Sequence, residues 1–86
     1  MSMKVWVITE TQEGYRAELP TTIRGVYTKR LTAIDHLNRI IDAYSVTYPE
    51  HSIYLTPFTE HPEEFYGRND NSMVIVKIRK EELVEE

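Results

Sequence analysis

The chain has no cysteine among its 86 residues, so neither a disulfide framework nor a thiolate metal cluster can stabilise it, and a thiol nucleophile is excluded. Only three glycines are present. That scarcity removes the glycine-rich loops that bring backbone amides against phosphate, and a nucleotide site with them. No apolar run approaches the roughly 18 residues that cross a bilayer. The opening MSMKVWVITE has neither a basic leader nor a small-residue cleavage site, so a cytoplasmic location without membrane attachment is expected. Positive charge is the minority sign: ten Lys and Arg stand against fourteen Asp and Glu, a formal net charge of -4. Such a balance suits a basic partner better than a polyanion, so direct nucleic-acid binding is not expected.

What is present fits one small domain over residues 1–86. A chain this short, split in two, would leave neither half an interior able to offset its conformational entropy. KVWVITE is apolar on both faces, with Val5 and Val7 on one and Trp6 and Ile8 on the other, and reads as a central strand. TQEG reads as a turn, YRAEL as a second strand stopped by Pro20, and IRGVYT as a third, with Gly25 at a bulge or a close approach. From Leu31 the period lengthens. Ile34, Leu37, Ile41, Tyr44 and Tyr48 recur every three or four residues, which predicts an amphipathic helix capped by Thr28 and closed by Pro49.

SIYLTPF predicts a short edge strand confined by Pro57, and MVIVKIRKEEL a strand beside the first, buried on both faces at its start. Residues 49–72 are expected to be a long acidic and aromatic loop and 81–86 a frayed acidic tail. The element order predicts an α+β two-layer sandwich, one main helix on one face of a mostly antiparallel sheet. The helix should pack on Val5 and Val7. Trp6 and Ile8 would then need the long loop or a second subunit to cover them, so a homodimer is one expectation.

ITETQEGYRAELP followed by GVYTKRLTAIDHLNRII resembles the HicB-type antitoxin, in which a hairpin with a Gly-Tyr-x-Ala-x-x-Pro strand leads through a third strand to a helix. Gly14, Tyr15, Ala17, Glu18, Leu19 and Pro20 carry the match, which spans about half the chain. The resemblance implies neutralisation of a small basic toxin, without the DNA-binding module that follows the family's last strand. VWVIT, and GVYT running into an Ala-containing helix, are more loosely similar to small phage and bacterial proteins of unknown function. Some small acidic phage proteins inhibit host DNA-binding proteins by displaying carboxylates where DNA displays phosphates.

His51, Glu60, His61, Glu63 and Glu64 offer metal-ligand atoms, but Pro62 breaks the helix that would align two of them, and neither a metal nor another cofactor is expected. Ser45, Ser52 and Ser72 lack a nucleophile motif, and a carboxylate pair of Glu60 with Glu63 or Glu64 lacks an apolar pocket to separate the two pKa values. The chain therefore reads as non-enzymatic. Arg24, Lys29, Arg30, Lys77, Arg79 and Lys80 would make a basic strip if the third and last strands were neighbours, but read rather as edge or wet-face charges that oppose aggregation.

LTPFTEHPEEFYGRNDN has a recognition composition instead: Glu60, Glu63, Glu64 and Asp70 to steer an encounter, Phe58, Phe65 and Tyr66 to anchor it. The expected function is a protein-interaction module, a phage-type inhibitor whose DNA-like acidic surface binds a basic host protein such as a DNA-binding protein. The alternative is a HicB-like antitoxin domain that blocks a basic toxin.

Overall fold

The computed structural model describes residues 2–14 and 21–84. In chain order these form β1 (Ser2–Gly14), β2 (Thr22–Tyr27), α1 (Arg30–Thr47), β3 (Glu50–Leu55), β4 (Pro62–Arg68) and β5 (Ser72–Val84). The strands make one five-stranded sheet in the order β2-β1-β5-β4-β3, antiparallel at every pairing, with α1 across one face. The fold is α+β with two layers, as the element order predicts. No helix among the described residues is long and apolar enough to cross a membrane.

Helix α1 buries Ala33, Ile34, Leu37, Ile40 and Ile41, the stripe set by its period. Its start differs from expectation: Lys29, not Thr28, is the N-cap, no side chain caps the first turn, and no acidic residue sits in it. Packing rather than capping holds this end, which is how most helices in proteins are stabilised. At the other end the Tyr48 N–H donates to the Tyr44 carbonyl at 2.7 Å and Tyr48 is buried, after which Pro49 bars continuation.

The sheet face under the helix is the opposite of the expected one. Ile8, Phe65, Val74 and Val76 share the core with Ala33, Leu37, Ile40, Ile41 and Tyr48, while Trp6, Tyr27, Tyr44 and Ile78 pack around them. Val5 and Val7 alternate to the opposite face and lie outside that cluster, although Val5 is itself buried. Both faces of β1 are apolar, so β1 alone could not decide; its neighbour does. Ile8 pairs with Ile78, Glu10 with Val76 and Gln12 with Val74, whereas Val5 pairs with Glu81, Val7 with Arg79 and Thr9 with Lys77. Cross-strand partners share a face, so the helix takes the side on which β5 presents Val74, Val76 and Ile78 and Ile8 stands beside them. Ile8 is thus covered by the helix and Trp6 is partly buried beside the core, so neither depends on the long loop for cover.

Three segments depart from their expected form. TQEG is not a turn: Thr11 to Gly14 continue β1 and pair with Ile75 to Ser72. The expected second strand, Tyr15 to Leu19, lies outside the described residues. Residues 49–72 are not a long loop but the hairpin β3–β4 and a short turn into β5, because pairing satisfies backbone groups that a loop would leave to water. The Asn69 side chain builds that turn, its Oδ1 accepting from the Ser72 and Asn71 amides at 2.8 and 2.9 Å. The tail is likewise strand as far as Val84, where Glu81 to Val84 pair with Val5 to Ser2; residues 85–86 lie outside the description.

Candidate functional site

The hairpin β3–β4 holds most of the residues singled out by composition, and it separates them. Alternation along β4 points Phe65 into the core, where it is fully buried and stacks on His51 with ring centroids 5.6 Å apart. Phe65 is therefore a core residue and not a partner-binding anchor. The same alternation turns Glu64 and Tyr66 to the open face, where the Tyr66 hydroxyl donates to the Glu64 carboxylate. That bond raises the Tyr66 pKa above the ordinary tyrosine value. Glu63 shares the helix-facing side with Phe65, half-buried, and accepts from the Thr56 hydroxyl at 3.4 Å. Asp70 is exposed in the turn after β4, at the end of that strand remote from Glu60. The four carboxylates thus occupy two faces and two ends of one hairpin.

The hairpin tip brings together features that composition did not. The Thr56 N–H donates to the His61 carbonyl at 2.8 Å and the Glu60 N–H to the Thr56 carbonyl at 3.1 Å, which closes the tip. Inside it Phe58 has φ 73° and Glu60 φ 54°, left-handed conformations that a side chain makes unfavourable. The Phe58 ring is wholly exposed, and Glu60 is exposed close by in the same tip. Proline before the ring and threonine after it mark a turn in the sequence, which was the available signal that this phenylalanine would be displayed and not packed.

The basic residues do not form a strip, because β1 lies between β2 and β5. Arg79 pairs with Glu81 at 3.1 Å on the open face. Arg24 belongs elsewhere. The register between β1 and β2 shifts between Ile8 and Thr9, and Arg24, the extra residue of this bulge, bonds Glu10 at 2.8 Å and the Tyr44 hydroxyl at 2.9 Å. Glu10 is only 6% exposed and also accepts from Tyr44 at 2.6 Å and Gln12 at 2.7 Å. A buried carboxylate needs such partners, and this group is structural support where β1, β2 and α1 meet.

Burial, and then the bond to Glu10, raise the Tyr44 pKa above 10.0, whereas the bond to Tyr44 leads the causes that raise that of Arg24. A raised tyrosine pKa favours the neutral hydroxyl in the folded state. Its stabilisation is present below the unfolded value near 10.0 and is lost as pH rises through the folded value. Tyr44→Phe is therefore expected to lose about 1 kcal/mol at neutral pH and to flatten the stability decline above pH 10, measured by denaturant titration across the alkaline range.

Among the described residues, no three His, Asp or Glu converge to hold a metal ion. Comparison with protein-family models, with curated proteins and with solved structures finds no match to this chain.

Proposed function

We propose that the protein is a non-enzymatic interaction module that binds a basic protein through the tip of the β3–β4 hairpin. The observation that carries this reading is Phe58: a wholly exposed aromatic ring held on a left-handed backbone. Two unfavourable terms coincide at one residue, the hydration of the ring and the strained φ, and no contact within the fold offsets them. An aromatic anchor entering a partner's pocket would offset both. Glu60 beside it, and the net charge of -4, favour a cationic rim around such a pocket. The partner classes this charge suits are a DNA-binding protein that the module inhibits and a small basic toxin that it neutralises. DNA competition for the bound protein distinguishes them.

The two unfavourable terms make an unusual pair of expected outcomes. Phe58→Gly should raise folding stability by about 1 kcal/mol, because glycine relieves the left-handed strain and no packing is lost. The same substitution should weaken partner binding by about 2 kcal/mol or more, mostly by faster dissociation. A photo-crosslinking residue at position 58 in the native host, followed by mass spectrometry, identifies the protein whose binding is then measured. Unchanged binding by Phe58→Gly would remove the tip from the function.

A further inference from the structure

The sheet has two free edges and they differ. β2 carries the bulge at Arg24, which twists an edge and interrupts regular pairing. The pairing of β3 with β4 also shifts, between Tyr54 and Leu55, but the extra residue there is Glu63 on β4, so the edge strand itself carries no bulge. All six of its residues are exposed, Ile53, Tyr54 and Leu55 at 40, 55 and 47%, and Glu50 is the one carboxylate or cation in it. An apolar, uncharged edge offers a ladder of backbone donors and acceptors to another strand.

We propose that the β3 edge pairs with the β3 edge of a second copy, antiparallel, with Ile53 on the two-fold axis. Ile53 has a proline at equal distance on each side, Pro49 and Pro57, one beyond each margin of β3. Two-fold pairing centred there sets Ser52 against Tyr54 and His51 against Leu55 within the strand, with Glu50 facing Thr56 at its margin. Both prolines lie outside the strand, so no proline interrupts the paired stretch. Glu50, the charged residue, meets a neutral threonine, and no like charges are opposed.

Faces are preserved as well. Ile53 pairs with Phe65 within the protomer and so lies on the helix side; the axis sets Ile53 against Ile53 on that same side. The result is one continuous sheet with both helices on one face and both open faces joined. The two copies run in opposite directions, which carries the Phe58 tips to opposite ends of the paired strands, so this pairing does not depend on the tip's role.

Sedimentation equilibrium from about 1 µM to 1 mM tests the pairing, with hydrogen exchange read at both ends of that range. The expected result is a reversible dimer whose β3 amides gain protection with concentration while β2 amides do not. Ile53→Lys, which opposes two ammonium groups at the axis, should raise the dissociation constant at least about tenfold, and Ile23→Lys on the other edge should leave it unchanged. A monomer at every concentration overturns the proposal, as does a dimer indifferent to Ile53→Lys, one broken by Ile23→Lys, or protection appearing on β2 instead. If circular dichroism shows Ile53→Lys unfolded, the exchange pattern of the unsubstituted protein decides alone.

Discussion

Phe65→Ala is expected to lose about 3–5 kcal/mol of folding stability, measured by urea denaturation, and to leave little folded protein at body temperature. The ring is fully buried between the sheet and the helix, stacked on His51 and tilted against Tyr44 with centroids 6.4 Å apart. Truncation removes a large apolar surface and opens a space that fixed strands on either side cannot close. Folding is where the effect should appear; any loss of binding should follow the fraction unfolded. A loss below about 1 kcal/mol would mean that β4 is turned over, with Phe65 outward and Tyr66 inward.

Leu37→Ala is expected to lose about 2–5 kcal/mol, since Leu37 is fully buried at the middle of α1. Its coupling says which sheet face the helix covers. Leu37 and Ile8 share the core, so the double substitution Leu37→Ala with Ile8→Ala should deviate from additivity by about 0.5 kcal/mol or more. Val7 lies on the other face, and Leu37→Ala with Val7→Ala should add within about 0.5 kcal/mol. The reverse pattern would restore the packing that β1 alone suggests.

Helix α1 and the apolar stretches of β1 and β5 were legible because their periods run long enough to be counted, whereas the extensions Thr11 to Gly14 and Glu81 to Val84 were not. The supported face was not, because it depends on which residues of two distant strands come to stand opposite one another. β4 was illegible for a different reason. Its helix-facing positions are Glu63, Phe65 and Gly67, so one apolar residue stands for a whole buried row, between a half-buried acid and a glycine. Gly67 explains itself only in three dimensions: a Cβ there would lie 2.7 Å from the Phe65 ring and 2.8 Å from Tyr48 Cβ. The binding composition of this segment was visible, yet strand alternation sorted its residues into core, open face and tip. Phe58 and Phe65, alike as anchors by composition, came to opposite places, the one wholly exposed and the other fully buried.

The place of β5 at the centre of the sheet sets the order in which the molecule can be built. β1 and β2 are one pair, β3 and β4 another, and β5 alone joins them, pairing with β1 from Ser2↔Val84 to Gly14↔Ser72. On the ribosome, then, the two pairs emerge with no strand between them, and the helix has half a floor on each side of a gap. Ile8 of β1 and Phe65 of β4 lack their β5 neighbours, Ile78 and Val76, until that strand is in place. Closure of the sheet must wait for β5 and bring together segments far apart in the chain, which makes this a slow fold for its size.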